Sequence, residues 1–433
     1  MPDSNSTWQE ICERHTGECC YKMVHPTGLT IFVCPKKGYR STYAMFGTRY
    51  GSIDTSFLTD DDEKPTELPA GIAHFLEHKL FENEDSNAFA RYAKTGASAN
   101  AYTSFDRTAY LFSCTDKFEE SLNILLDFVQ TPYFTEQTVR KEQGIIGQEI
   151  RMGEDSPSRR VLFNLLRSLY HKHPVKTDIA GTIDSIGQIT PELLYGCYNT
   201  FYTLYNMVLV VSGNVTPEQV LAVADKTLKK AVNRGAKRAA IDEPAEVVKP
   251  RIEQKMPVSS PLFYYGYKDY LPEGISYRTP EQLAAAGVLL EVMAGRSSQL
   301  YNQLMNQGLI NSSFSFDYFD GPGYGVWMFG GESANPDAVA SSISDEIARL
   351  RADGISEDAF ESARNALYGR QVASLNDVDN VSDSLMNDYF AGRQPFSAVE
   401  AAASLSRQAV LKLLDTCFGE NQASLSIISP SGL

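Results

Sequence analysis

Two histidines four residues apart, with a glutamate beside the second, are the residues here most able to do chemistry: His74, Glu77 and His78 in "AHFLEH". On a helix, positions i and i+4 lie one turn apart on the same face, so both imidazoles can reach one metal ion. Glu77 follows His74 by three residues and projects near that face, close enough to work on a metal-bound water. The pattern is H-x-x-E-H, the reverse of the H-E-x-x-H arrangement of zinc peptidases. It names a metal, a base and metal-assisted hydrolysis together. Histidine is scarce, six in 433 residues, which makes the spacing informative.

A helix has to present these groups. In "GIAHFLEHKLFEN", Ile72, Phe75, Leu76, Leu80 and Phe81 recur at helical spacing, which predicts an amphipathic, half-buried helix started by Pro69 and Gly71. A catalytic zinc ion usually takes three protein ligands and keeps one position for water. Downstream, "VRKEQGIIGQEIRMGED" offers Glu142, Glu149 and Glu154. Glu142 and Glu149 share a helix face but stand about 10.5 Å apart along the axis. One of them is therefore expected to be a ligand and the other a neighbour on the substrate side or behind a ligand; spacing does not choose between them. His171 and His173 are two apart beside Pro174 and read as loop or surface residues.

Two copies of one plan make up the chain. Strand-like runs "LTIFVCPK" and "STYAMFGTRYG" precede the motif helix; "SANAYTSF" and "TAYLFSCT" follow it, then helices over "FEESLNILLDFVQ" and "TEQTVRKEQGIIGQEIRM". The second half repeats the order, with "PLFYYGYKDYL", a helix over "PEQLAAAGVLLEVMAG", strands "SSFSFDYF" and "YGVWMFGGE", and two more helices. These patterns predict two related α+β domains, residues 1–232 and 261–433, joined by a charged, proline-containing linker over 233–260. The helix at the motif position of the second half has no histidine, and the remaining histidines, His15, His25, His171 and His173, lie in the first half. A metal site therefore belongs to the first domain.

Composition narrows the partners. A net charge of −15 argues against nucleic acid. No apolar run approaches the length of a membrane span. The opening "MPDSNSTWQEICERHTGE" has no basic start or apolar core, so no signal peptide is expected. Seven cysteines, an odd number without a C-x-x-C pair, read as reduced thiols of a cytoplasmic protein.

The segments "AHFLEHKLFE", "GASANAYTSFDRTAYLF" and "KEQGIIGQEI" together resemble the pitrilysin family of zinc metallopeptidases, which includes insulin-degrading enzyme and the mitochondrial processing peptidases. The resemblance runs from about Gly28 to the end of the chain and is to short, two-domain bacterial members that assemble as dimers. It implies two homologous domains, each an antiparallel-rich sheet packed with helices, forming a half-clamshell. It implies one zinc ion on His74, His78 and Glu149, Glu77 as the catalytic base, and Glu142 as the second glutamate beside the site. It implies that Asn100, Ala101, Tyr102 and Thr103 form an edge strand to which a peptide substrate adds, and that Phe81 lines the pocket for the residue after the cleaved bond. Active family members also carry an arginine and a tyrosine in the second domain, in a stretch like L-R-E-x-x-G-L-x-Y. Here Met305 stands where the arginine would be and Asn311 near the place of the tyrosine, so both functional residues are expected to be absent. The resemblance therefore implies a peptidase for short or unfolded peptides that works as the zinc-bearing subunit of a dimer, homodimeric or with a paralogue supplying the missing pair. The rival expectation is a non-catalytic peptide-binding or assembly subunit.

Overall fold

The computed structural model describes residues 7–431 except 61–62, 85–86, 231, 234, 239–240, 270 and 272–275. Some residues of the expected linker thus lie outside the described residues, as does Tyr270 of the run "PLFYYGYKDYL". The chain forms two compact units. The first comprises Met1–Ile150, Asp178–Ala239 and Val372–Ser397; the second comprises Arg151–Thr177, Ala240–Gln371 and Ala398–Leu433. Each unit is thus discontinuous in sequence.

The first unit is built on a seven-stranded sheet. In spatial order its strands are Gln9–Cys12, Cys19–Val24, Thr30–Pro35, Met207–Gly213, Thr42–Thr48, Thr108–Cys114 and Ser98–Thr103. Met207–Gly213 reads MVLVVSG and is buried at every residue. Such a β-branched run, covered on both faces, suits a central strand. It pairs parallel with Thr30–Pro35 and antiparallel with Thr42–Thr48. One face of the sheet carries the core, in which Phe46, Tyr110, Phe112, Leu125 and Phe128 pack with Phe75 and Leu76 of the helix Ile72–Leu80. The helix Val378–Phe390 packs against Thr42–Thr48 and Met207–Gly213, where Met386 approaches Gly47 closely.

The second unit repeats this plan with five strands. Arg251–Met256 pairs parallel with Ala423–Pro430, which pairs antiparallel with Leu262–Lys268; Tyr324–Glu332 and Ser315–Gly321 complete the sheet. This reproduces, partner for partner, the order running from Thr30–Pro35 to Ser98–Thr103 in the first unit. The helix Pro280–Ala294 occupies the same place in the order as Ile72–Leu80. It starts at a capping box between Thr279 and Gln282, with Pro280 in its first turn. The fold class is the expected one: two related α+β units rich in antiparallel pairing.

Two expectations need correction. The segment 233–260 is more than a spacer, because Arg251–Met256 is a strand whose side chains alternate between exposed and half-buried before Met256 is buried. Its polar, charged sequence is that of an edge strand, which composition alone cannot tell from a linker. Nor are all cysteines reduced. Cys12 and Cys19 face each other across an antiparallel strand pair and form a disulfide. Cys20, Cys34, Cys114, Cys197 and Cys417 are buried free thiols.

Candidate metal centre and active site

The start of the motif helix is fixed by two glycines. Gly71, at the N-cap of Ile72–Leu80, has φ 91°. A Cβ there would stand 2.4 Å from the Ala180 carbonyl oxygen. Gly181 has φ 76°, and a Cβ there would stand 2.3 Å from the Ala70 carbonyl oxygen. Only glycine tolerates both the left-handed backbone and these approaches. The Ser185 hydroxyl also donates to the Ala70 carbonyl at 2.7 Å. The helix therefore leaves its turn in a set direction, burying Ile72, Phe75, Leu76 and Leu80 and leaving His74 and His78 partly accessible.

The two imidazoles converge on the helix Glu136–Glu154. His74 Nε2 lies 3.1 Å from Glu149 Oε2, and His78 Nε2 lies 3.7 Å from the same oxygen. The ligand-type atoms of His74, His78 and Glu149 all fall within 4.8 Å of one another. Glu142, two turns earlier, meets the far side of the second imidazole, its Oε1 3.0 Å from His78 Nδ1. The geometry thus separates the two glutamates that spacing left equivalent: Glu149 faces both Nε2 atoms, and Glu142 stands behind one ring.

The donor set fits a zinc ion in kind: two imidazole nitrogens and a carboxylate oxygen, with a carboxylate on the outer nitrogen of one ring. The same crowding shows in the titration of His74. Burial alone disfavours its charged form, but hydrogen bonds to Glu149 and Glu77 outweigh burial and raise its pKa to about 9. A concentrated negative field around two imidazoles is an environment that attracts a cation.

Glu77 is buried, and its Oε2 accepts a hydrogen bond from the Thr103 hydroxyl at 2.8 Å. The same oxygen lies 3.4 Å from His74 Nδ1. Thr103 ends the strand Ser98–Thr103, which pairs only with Thr108–Cys114 among the described residues and so stands at the sheet edge. Of the residues expected to receive a peptide, Asn100 turns its side-chain oxygen onto the Ala101 N–H, and the Tyr102 hydroxyl donates to Asp383 at 3.2 Å.

A cavity of about 590 Å³ opens beside these groups, lined by Glu77, His78 and Glu142, by Asn100 and Ala101 of the edge strand, and by Phe81, Phe89 and Ile145. Phe81 is mostly buried and stacks on Phe89, with ring centroids 4.5 Å apart, and on Phe128 at 5.1 Å. Phe89 and Ile145 are the more exposed apolar surfaces. Sequence reasoning missed both, along with Lys141, whose ammonium pairs with Glu82 at the cavity wall. Ile145 lies three residues after Glu142 and four before Glu149, so helical spacing from the glutamates could have found it; nothing local marks Phe89.

Elsewhere, Met305 is exposed at the end of the helix Gln299–Asn306, and Asn311 donates to Glu332. His171 is exposed; His173 is buried, caps a short helical turn and contacts the Pro322 carbonyl. Burial holds the His173 pKa down at about 4. Among the described residues, one other group of metal-ligand atoms comes together, Glu10 with Cys12 and Cys19, but its two sulfurs are bonded to each other.

Residues 64–183 match the insulinase family (peptidase family M16), and residues 188–367 match the peptidase M16 inactive domain. The chain is 38% identical over 416 residues to an uncharacterized zinc protease, YmfH, of Bacillus subtilis (strain 168), covering 95% of this chain and 97% of the relative. Among solved structures, an M16-like peptidase from Alicyclobacillus acidocaldarius is similar with a TM-score of 0.90 and 34% identity, covering 98% of this chain and 99% of that one. Pitrilysin is similar in fold alone, with a TM-score of 0.76 and 18% identity, over 99% of this chain and 47% of that one.

Proposed function

We propose, for a chain that belongs to the insulinase family of peptidases (family M16), that it is a zinc metalloendopeptidase for short or unfolded peptides. The observation that carries this reading is the convergence of His74, His78 and Glu149 within 4.8 Å, with the Glu77 carboxylate buried beside them.

In this reading His74, His78 and Glu149 hold one zinc ion, which when bound would polarise the scissile carbonyl and make water nucleophilic near neutral pH. Glu77 Oε1 takes the proton of the attacking water and returns it to the departing amine. The edge strand at Asn100–Thr103 holds the peptide by main-chain hydrogen bonds, orienting the carbonyl. Phe81 and Phe89 line the space for the side chain that follows the cleaved bond. Turnover of a mixed peptide pool tests the reading: the wild-type chain, alone or with a partner chain, hydrolyses peptides, and Glu77→Gln keeps its zinc but loses at least about a hundredfold in rate, the usual scale of general acid–base catalysis. Near-normal turnover by that variant would sink the assignment.

A dimer belongs to the same proposal. In the stretch where the substrate-gripping arginine and tyrosine are expected, "LMNQGLIN", neither residue occurs, so a partner chain is expected to supply that pair. The same observation favours a second reading, a non-catalytic peptide-binding or assembly subunit. Assaying the chain alone and with a paralogue carrying the arginine and tyrosine separates the two: activity restored by the partner supports divided labour, and peptide binding without hydrolysis in either case supports the second. No described helix is long and apolar enough to cross a membrane. A cytoplasmic location belongs to the same proposal, and the Cys12–Cys19 disulfide counts against it; alkylating thiols in living cells before lysis would check it, because a reducing cytoplasm would hold that pair as thiols open to the reagent.

A further inference from the structure

We infer that Thr103 is a positioning residue for Glu77: its hydroxyl tethers one carboxylate oxygen and leaves the other free to move the proton. The inference rests on the peptidase reading for its kinetic meaning, but its geometry stands without it.

The Thr103 hydroxyl has one proton and two acceptors in reach, Glu77 Oε2 at 2.8 Å and Thr108 Oγ1 at 3.4 Å. A carboxylate at the shorter distance is much the stronger acceptor, because hydrogen bonds to ionised groups are shorter and about twice as strong as neutral ones. Thr108, whose own proton goes to the Tyr50 carbonyl at 2.9 Å, is left as a neutral acceptor at the longer distance and is the weaker competitor. The donor is therefore committed to Glu77.

The tether is also rigid. Thr103 pairs directly with Thr108 across two antiparallel strands, and Thr108 and Tyr50 are fully buried. Glu77 itself is on a helix whose start is locked by Gly71 and Gly181. Two fixed elements thus meet through one hydrogen bond, and both of the short contacts of Glu77, to Thr103 and to His74, fall on Oε2. Oε1 is then the oxygen available to a water or an amine. A general base acts only within hydrogen-bond reach of the proton it takes, so a carboxylate free to rotate would spend much of its time misdirected. The β-branched side chain of Thr103 can do this while its backbone remains at the sheet edge, because side chain and main-chain hydrogen-bonding groups point in different directions on a strand.

Thr103→Val keeps the shape and removes the donor. In the full-length chain it is expected to bind one zinc ion and melt like wild type, while kcat falls on the order of tenfold to a hundredfold with KM within about twofold, the scale of a small misplacement of a reacting group. Thr103→Ser is expected to restore kcat, and Thr103→Ala to reproduce the loss if valine disturbs the strand. Crystal structures of the metal-free wild type and Thr103→Val supply a second readout: the Glu77 carboxylate should leave its position near residue 103 in the variant. Wild-type kcat in Thr103→Val, or an unmoved Glu77 carboxylate, overturns the tether. If the wild-type chain hydrolyses no peptide, alone or with a partner that supplies the arginine and tyrosine, the peptidase reading fails, and the comparison of crystal structures still decides the tether.

Discussion

At the scale of single residues, the two glutamates of the helix Glu136–Glu154 show what spacing can and cannot assign. Seven residues apart, Glu142 and Glu149 lie on one face, and that was legible. Which of them faces the imidazoles depends on how the helix is set against His74 and His78, a tertiary fact with no local signature. The contacts give them different tasks. Glu149 Oε2 faces both Nε2 atoms, whereas Glu142 accepts from His78 Nδ1, which fixes the tautomer that presents Nε2 as a lone pair. Glu142→Gln is therefore expected to weaken zinc binding about 10- to 100-fold, the usual cost of losing such a partner, and Glu149→Gln to weaken it more. Competition against a chelator of known affinity measures both. The reverse order would make Glu142 the ligand. Phe89 shows the limit from the other side: its place at the cavity comes from stacking on Phe81, eight residues away, which no periodicity announces.

Among the elements, the motif helix, the strands around it and their repeat were legible because each carries its own signal, an apolar stripe at helical spacing or a β-branched run. Elements that depend on distant partners were not. Arg251–Met256 looks like linker until Ala423–Pro430 pairs with it. The helix Val378–Phe390 carries a comparable surprise in Asp388, which is buried with one carboxylate oxygen lacking a partner. Burial raises its pKa to about 7, only partly offset by the Arg393 charge. An acid whose folded pKa is raised stays protonated in the native state while the unfolded chain ionises, so its contribution to stability falls as pH rises from about 4 to about 7. Asp388→Asn removes the charge and keeps the shape. It is expected to stabilise the protein by on the order of 2–4 kcal/mol at pH 8 and by nothing near pH 4. Thermal melts at the two pH values check this; a constant difference between them would place the effect elsewhere.

For the whole molecule, the feature no sequence pattern disclosed is that each unit draws segments from both halves of the chain. The helix Pro157–Leu169, encoded before the linker, belongs to the second unit, where it packs against Ala423–Pro430 and Leu262–Lys268. The helix Val378–Phe390, encoded after it, belongs to the first. A fragment ending at residue 232 therefore keeps the first of these helices without the strands that bury its Val161, Phe163, Leu165, Leu166 and Leu169. It also loses Val381, Leu385, Met386 and Phe390, which pack with the second helix on the first sheet. Burying each such side chain is worth about 1.5–3 kcal/mol. Losing cover at both places therefore exceeds the roughly 5–15 kcal/mol that holds a typical domain folded. The 1–232 fragment, though it contains His74, Glu77, His78, Glu142 and Glu149, is expected to aggregate or bind a hydrophobic dye and to hold no zinc tightly. Co-expressing residues 1–239 with 240–433 restores every segment to its unit and should recover both the cooperative melt and one zinc ion per pair. Size-exclusion chromatography, melting and elemental analysis of the fragment and the pair decide it: a monodisperse 1–232 fragment that melts cooperatively and binds zinc would mean that the first unit does not need the helix it borrows from the far side of the linker.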